Sequence, residues 1–170
     1  MQIRKIVEAD ATPYLALRRA LDSESKTLLL GPGERKTTPE QMRQSLNEIL
    51  SRSNAMVFLA TEQERLIGFL SAIGGMANRN RGTIVIVIGI LEAYTGQGIG
   101  KALFREMETW AKEIRAHRLE LGLMAHNERA LRLYTSLGYR IEGKKEEVYF
   151  VDGSYVDEMM MGKIIQPDDP

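Results

Sequence analysis

The chain has 170 residues, and its 23 Lys and Arg balance its 23 Asp and Glu, so it carries no formal net charge. Its length and its ordinary composition, 44% hydrophobic and 27% charged, predict one globular domain over residues 1–165 and a flexible C-terminal tail at 166–170. Because no net field draws the chain to a polyanion, we expect no nucleic-acid or membrane partner. The absence of cysteine excludes disulfides, a thiolate nucleophile and cysteine-based metal sites.

Metal binding and secretion have no clear signal in the sequence. The two histidines, His117 and His126, do not lie at the spacing of a metal-binding pair, so we expect no metal. The N-terminus lacks the apolar core of a secretion signal, and the longest apolar run, residues 84–91, is about a third of a membrane span. With no targeting signal to redirect it, the chain is predicted to be cytoplasmic.

The first half of the chain alternates strands and helices. Residues 2–7 alternate as a strand does, and Asp10 or Thr12 is the predicted cap of the helix that follows. Residues 23–38 then form a loop longer than a plain connection needs, and such loops often border a site. A second helix is predicted from Pro39, followed by a hairpin of strands at 55–61 and 66–77.

The second half continues this alternation. The β-branched run 83–91 predicts a central strand covered on both faces, in which Gly89 marks a bulge or the close approach of another group. The remaining predicted elements are a helix to about residue 115, a strand at 118–125, a short helix from Asn127 that stops at Gly138, and a hairpin of 139–151 and 155–164 around Asp152-Gly153. This order predicts an α+β domain with a mixed sheet.

The segment Thr95-Gly96-Gln97-Gly98-Ile99-Gly100 joins a strand directly to a helix. Such a turn presents unpaired backbone N–H groups to an anion, and the helix dipole adds attraction, so it predicts a phosphate-bearing ligand. A P-loop needs four residues between its first glycine and Gly-Lys, whereas Gly96 and Gly100 bracket only three. The dinucleotide fingerprint fails as well, because Lys101 or Leu103 stands where its third glycine belongs.

The turn resembles the acetyl-CoA loop of the GCN5-related N-acetyltransferase (GNAT) superfamily, written Arg/Gln-x-x-Gly-x-Gly/Ala, with Gly98 and Gly100 at its small positions. The resemblance implies that backbone amides of the loop hold the CoA pyrophosphate and that a bulged strand before it pairs with the pantetheine arm. Thr95 stands where the family prefers Arg or Gln, and Gln97 or Lys101 could supply the missing contact. The cofactor-binding residues implied here are Ile88, Gly89, Ile90, Thr95, Gly96, Gln97, Gly98, Ile99, Gly100 and Lys101.

A second segment, from Asn127 to Tyr139, resembles the superfamily motif Asn-x-x-Ala-x-x-Leu-Tyr-x-x-x-Gly-Phe/Tyr. The resemblance implies that Asn127, Ala130 and Tyr134 contact the cofactor and that the Tyr134 hydroxyl points at the thioester sulfur. Tyrosine suits this task, because its pKa of about 10 keeps it protonated at neutral pH while the departing thiol has a pKa of about 8.5. Tyr134 is therefore the predicted general acid.

The resemblance also implies the fold and the assembly. It implies the GNAT fold, an α+β architecture with a central, mixed but mostly antiparallel sheet of about seven strands, about four helices, and strands 4 and 5 splayed around the cofactor. The single acetyltransferase domain would cover residues 1–165, and a homodimer is expected.

The acceptor and the general base carry weaker signals. Glu92, Glu120, His126 and Glu34 are candidate bases, with a water relay as the alternative. In the loop after the first helix, Arg35 is a candidate partner for a substrate carboxylate, and Glu24 or Glu34 for an amine.

The sequence is compatible with three candidate functions. The first is direct acetyl transfer from acetyl-CoA to a primary amine of a small molecule, such as an amino acid or a related metabolite. The second is acetylation of protein N-termini or lysines, and the third is a non-catalytic acyl-CoA-binding sensor. Retention of Tyr134 argues against the sensor.

Overall fold

A computed structural model of the protein describes residues 1–165, and the predicted tail at 166–170 lies outside the described residues. Seven strands are present: β1 (Gln2–Lys5), β2 (Ala55–Glu62), β3 (Arg65–Gly74), β4 (Thr83–Ile90), β5 (Arg118–Met124), β6 (Arg140–Val151) and β7 (Ser154–Ile164). They form one sheet in the order β1-β2-β3-β4-β5-β7-β6, in which β4 and β5 pair in parallel and every other described pair is antiparallel. The predicted mixed, mostly antiparallel sheet is confirmed.

Four helices cover the sheet: α1 (Ala11–Glu24), α2 (Pro39–Leu50), α3 (Ile99–Glu113) and α4 (Glu128–Ser136). Apolar residues of α1 and α2 pack on one face, around Leu59 and Phe69, whereas α3 and α4 pack on the other face, around Leu70 and Ile84. Each face therefore has its own hydrophobic core. No helix within residues 1–165 is both long enough and apolar enough to cross a membrane.

The N-terminal elements agree with the sequence apart from their ends. Strand β1 stops at Lys5, because a short 3₁₀ turn at Glu8–Asp10 follows it. Asp10 precedes α1 as predicted, but its buried carboxylate accepts hydrogen bonds from both Arg4 guanidinium nitrogens, at 2.6 and 2.7 Å, rather than from the helix. Helix α2 begins with a capping box, in which Thr38 Oγ1 accepts from the Gln41 N–H and the Gln41 side chain accepts from the Thr38 N–H.

The central strand β4 departs from the prediction in two ways. Val85 and Val87 are 46% and 43% exposed, because α1 and α2 lie over β2 and β3 and leave this part of the face open. The bulge implied at Gly89 is absent from the pairing of β4 with β3, which runs in register through this residue. A Cβ at Gly89 would lie 2.8 Å from Phe69 Cε1 and 2.9 Å from Leu21 Cδ1, so the glycine permits a close approach of side chains.

The C-terminal turns follow the sequence closely. Gly138 ends the segment after α4 with φ +86°, the left-handed stop predicted for it. Asp152 and Gly153 both have positive φ, as a two-residue hairpin turn between β6 and β7 requires. The register of this hairpin shifts twice, between Ile141 and Gly143 and between Lys145 and Tyr149.

Candidate active site

The loop between β4 and α3 leaves a row of backbone donors free. Gly96 and Gly98 have φ of +77° and +81°, which residues with a side chain adopt only with strain. None of the backbone N–H groups of residues 96–101 meets an acceptor within residues 1–165. Because they lie at the N-terminus of the 15-residue α3, these groups are available to an anion, and the anion-binding site stays a prediction from the sequence.

The side chains of this loop are engaged within it. Thr95 Oγ1 donates to the Glu92 carbonyl at 2.8 Å, and Gln97 Nε2 donates to the Ala93 carbonyl at 3.1 Å. Lys101 and Arg129, in contrast, are exposed and have no ion-pair partner in the described part of the chain. Arg129 borders a cavity of about 330 Å³ together with Thr95, so it is a second cation next to the position where the family's Arg or Gln is missing.

Helix α4 is fixed beside this loop. A Cβ at Gly100 would lie 2.9 Å from Leu133 Cδ2, so this glycine allows α3 to approach α4 closely. Asn127 caps α4, since its Oδ1 accepts from the Ala130 N–H at 3.1 Å. Its Nδ2 has no acceptor among the described residues and can donate to a ligand.

Strands β4 and β5 separate after three paired residues. Their pairing covers Thr83–Val85 and Arg118–Glu120, although both strands continue beyond it. A cavity of about 280 Å³ fills the gap and is lined by consecutive β4 residues 85–88, whose side chains alternate between the two faces of the sheet. The gap, which we call the sheet opening, therefore joins the α3/α4 side to the α1/α2 side.

Tyr134 of α4 lines the sheet opening from the α3/α4 side. Its ring, 6% exposed, packs edge-on against Phe104 at a centroid distance of 5.6 Å and lies 6.2 Å from the ring of Tyr139. Burial raises the pKa of Tyr134 to about 12, so the hydroxyl keeps its proton at neutral pH. That hydroxyl has no hydrogen-bond partner within residues 1–165 and is free to donate to a ligand.

A larger cavity of about 530 Å³ adjoins the sheet opening on the α1/α2 side. We call it the acceptor cavity; it lies between the loop after α1 and the β6–β7 hairpin. The two cavities share four lining residues, which are Leu28, Leu29, Met124 and Tyr149. The exposed ion pair of Lys26 with Asp152, at 2.6 Å, connects the loop to the hairpin turn.

The predicted acceptor residues are already engaged within the protein. The Arg35 guanidinium forms a buried ion pair with Asp22, through contacts of 2.6 and 3.0 Å, so a substrate carboxylate would have to compete with Asp22. Glu24 accepts a hydrogen bond from the Glu92 backbone N–H at 2.7 Å. Glu34 borders the acceptor cavity as expected, but its carboxylate accepts from the Gly31 N–H at 2.6 Å.

The predicted bases lie outside the sheet opening. Glu92 is exposed in a 3₁₀ turn after β4, and His126 is exposed before α4. Glu120 of β5 accepts from Arg118 at 3.0 Å in a network that includes Glu142, and it does not line the opening. None of the three is brought next to Tyr134.

The carboxylate that does line the opening is Glu158 of β7, which was not among the site residues predicted from the sequence. Lys145 and Tyr149 of β6 donate to it at 2.9 and 2.7 Å, and both hydrogen bonds lower the pKa of Glu158. A cross-strand count outward from the hairpin turn, in which Val151 pairs with Ser154, would place Glu147 opposite Glu158. The register shift between Lys145 and Tyr149 brings Lys145 to this position instead, so such a count gives the wrong partner.

Comparison with known proteins decides the family. The sequence model of the acetyltransferase (GNAT) family matches residues 19–139 of this chain. This range includes both the glycine-rich segment at 95–100 and the segment from Asn127 to Tyr139. The chain belongs to this family. A crystal structure of a GNAT acetyltransferase from Streptococcus pneumoniae superposes with a TM-score of 0.93 at 27% identity and covers 97% of this chain and 99% of its own.

Curated relatives match the GNAT chain over shorter segments. The uncharacterized N-acetyltransferase YdgE of Bacillus subtilis is 28% identical over 81 residues, 48% of this chain, so the chain spans about half (52%) of that protein's length. The L-amino acid N-acetyltransferase AaaT of Escherichia coli is 32% identical over 42% of this chain and 44% of its own. The N-alpha-acetyltransferase RimI of Mycobacterium tuberculosis is 37% identical over 41% and 42%.

A further structural neighbour was solved with acetyl-CoA bound. The structure of yncA from Salmonella typhimurium, solved with its cofactor acetyl-CoA, superposes with a TM-score of 0.84 over 98% of this chain and 97% of its own. At 18% identity this similarity shows the shared fold.

Proposed function

We propose that this GNAT protein transfers the acetyl group of acetyl-CoA directly to a primary amine of a small molecule, with Tyr134 as the general acid. The observation that carries the proposal is the Tyr134 hydroxyl, which is protonated, has no partner within residues 1–165 and lines an opening between the two faces of the sheet. A thioester entering from one face and an amine from the other can meet at this hydroxyl.

Cofactor binding is supported by groups that are free on the α3/α4 side. The N–H groups of residues 96–101 are suited to the pyrophosphate, and Lys101 and Arg129 supply the positive charge that Thr95 lacks. Beyond Val85, β4 has no partner strand on the β5 side, so Ile88, Gly89 and Ile90 offer backbone groups to the amides of the pantetheine arm.

The proposed step needs no acyl-enzyme. The acceptor loses one proton to water, and the nitrogen lone pair attacks the acetyl carbonyl carbon. The C–S bond breaks, its electron pair passes to sulfur, and the Tyr134 O–H donates its proton to that sulfur. A second proton leaves nitrogen for water as the amide forms, and Tyr134 regains a proton from water.

A second candidate function is acetylation of protein N-termini, favoured by the similarity to RimI. The similarity to AaaT favours a small amine instead. A homodimer and a cytoplasmic location remain predictions from the sequence.

Tyr134→Phe tests the role of the general acid. We expect kcat for thiol release from acetyl-CoA to fall by about 100-fold or more, because the proton donor to sulfur is removed, while the Kd for CoA changes little. The measurements are steady-state thiol release with a panel of amines and calorimetric titration with CoA.

Tyr139→Phe is the matched control, since Tyr139 is equally buried in the same aromatic cluster but does not line the opening. Its kcat should stay close to that of the unmodified protein. Equal kcat values for the two variants would rule out Tyr134 as the acid, and tight CoA binding without turnover of any amine would favour the sensor.

A further inference from the structure

The side of the sheet on which Glu158 lies is settled by its neighbours in β7. Met161 belongs to the hydrophobic core under α3 and α4, and Met159 packs against that core. Because side chains alternate along a strand, Glu158 points to the opposite face, on which the acceptor cavity lies. The Glu158 carboxylate therefore faces Tyr134 across the sheet opening rather than sharing its side.

Glu158 is also built into its position. Its side chain is 14% exposed, and Lys145 Nζ and Tyr149 Oη each donate one hydrogen bond to it. Gly122 of β5 lies directly beneath it, since a Cβ at that residue would come within 2.5 Å of Glu158 Oε1. A carboxylate accepts about four hydrogen bonds, so two positions stay free for a donor from the opening.

The charged side chains that line the two cavities are mostly carboxylates. Among the described residues that line the sheet opening or the acceptor cavity, the carboxylates are Glu34, Asp152 and Glu158, and Lys26 is the one cation. Lys26 is itself paired with Asp152, and Arg35, paired with Asp22, does not line either cavity. Glu158 is paired with Lys145, which is not part of the lining, so Glu34 is the one carboxylate of this set without an ion-pair partner in the described part of the chain. The lining therefore offers no free positive charge to a substrate carboxylate.

The wall of the acceptor cavity is mixed, with apolar side chains beside polar groups such as those of Ser25 and Tyr149. Leu28, Leu29, Met124, Val148 and Phe150 contribute to its wall. A volume of about 530 Å³ accommodates a small organic molecule with an aromatic or branched body.

We propose that Glu158 binds the ammonium group of the acceptor, and that the acceptor is a primary amine without a carboxylate whose apolar body occupies the acceptor cavity. This inference rests on the proposed acetyltransferase function and narrows its substrate class. It separates this chain from an enzyme for free amino acids. It also assigns the amine contact to β7, outside both sequence motifs.

The first test compares three amines that share one aromatic body: 2-phenylethylamine, phenylalanine and phenylalaninamide. Thiol release from saturating acetyl-CoA is measured at a pH of about 9, and kcat/KM is corrected for the neutral fraction of each amine. We expect kcat/KM for 2-phenylethylamine and phenylalaninamide to exceed that for phenylalanine by about tenfold or more, because only phenylalanine brings a carboxylate to a lining that has no free positive charge.

The second test compares Glu158→Gln with Lys145→Met. The glutamine keeps the size of the side chain and loses its charge, so KM for the amine should rise by about 10- to 100-fold while the Kd for CoA is unchanged. Lys145→Met removes the same ion pair but leaves the carboxylate, so KM for the amine should stay the same or fall. Glu146→Gln, at an exposed side chain of the same hairpin, controls for the loss of one negative charge.

The outcomes distinguish a failure of the proposed role of Glu158 from a failure of the proposed acetyltransferase function. An equal rise of KM in Glu158→Gln and Lys145→Met would show that Glu158 only holds the hairpin, and a preference for phenylalanine, or turnover of peptides alone, would overturn the substrate class. If no amine or peptide releases thiol from the unmodified protein, the proposed function itself fails. Thermal unfolding of each variant verifies that the fold is retained.

Discussion

The two sides of the sheet opening are built in different ways. On the α3/α4 side, the groups suited to the cofactor come from two short continuous segments, residues 96–101 and 127–134, and most of them are backbone N–H groups or a helix cap. On the α1/α2 side, the groups suited to the acceptor are side chains from three separate segments, represented by Leu28 in the loop after α1, Met124 of β5 and Glu158 in the β6–β7 hairpin. Local sequence therefore determines the cofactor side, whereas the tertiary fold assembles the acceptor side.

The two sides also differ in how their polar groups are satisfied. The backbone donors of residues 96–101 lack protein partners in the described part of the chain, so they are available to a ligand. Charges on the acceptor side are paired within the protein, as in Asp22 with Arg35 and Lys145 with Glu158. A substitution on the cofactor side should therefore mainly change binding, whereas one at the buried Asp22–Arg35 pair, which lines neither cavity, should mainly change stability.

The largest effect on stability is expected from Asp22→Ala. Removal of this 2% exposed carboxylate leaves the Arg35 guanidinium, 12% exposed, without its partner, and the free energy of unfolding should fall by about 3 kcal/mol or more. Chemical denaturation measures the change, and the Kd for CoA should not alter in the folded variant.

Asp152→Ala provides the comparison on the same side, because it breaks the exposed ion pair with Lys26. Solvent screens this pair, so its loss should change the free energy of unfolding far less. If Asp22→Ala were no more destabilising than Asp152→Ala, the distinction between buried and exposed pairs would be wrong.

A smaller effect on stability is expected from Gly98→Ala on the cofactor side. Its φ of +81° strains a residue with a Cβ by about 1–2 kcal/mol. Relaxation of that strain turns the N–H groups of the loop, so the affinity for CoA should fall by about tenfold, which corresponds to about 1.4 kcal/mol. Calorimetric titration with CoA measures this change.

Gly153→Ala is matched to it in geometry. Gly153 has φ +82°, and a Cβ would meet no atom within 4 Å at either glycine. Both variants should lose similar stability, but only Gly98→Ala should bind CoA more weakly. A similar loss of CoA affinity in Gly153→Ala would show that the effect is not local to the loop.

The sequence predicted the strands, the four helices and the glycine-rich turn between β4 and α3 because these depend on local patterns. Hydrophobic periodicity predicts α3, and positive φ at Gly96, Gly98 and Gly138 follows from glycine at turns. The exposure of Val85 and Val87 was not predictable in this way, because it depends on where α1 and α2 pack. The packing role of Gly89 was not predictable from local patterns either, because the side chains that contact it, Phe69 and Leu21, come from other elements.

The acceptor residues were harder still to predict. Arg35 and Glu24 were proposed as substrate contacts because they are charged and lie in or beside a long loop, but their partners Asp22 and the Glu92 N–H are found only in the folded chain. Glu158 was overlooked, and its pairing with Lys145 depends on the register shift between Lys145 and Tyr149 of β6. Contacts between different secondary-structure elements follow no fixed sequence spacing, so a sequence pattern does not predict these partners.

The most direct measurement of the central claim is a crystal structure of the protein with CoA. The pyrophosphate should accept hydrogen bonds from the backbone N–H groups of residues 96–101, and the sulfur should lie in the sheet opening within about 4 Å of Tyr134 Oη, a distance compatible with an O–H···S hydrogen bond. A pyrophosphate away from this loop, or a sulfur that points to solvent on the α3/α4 side with Tyr134 out of reach, would contradict the account.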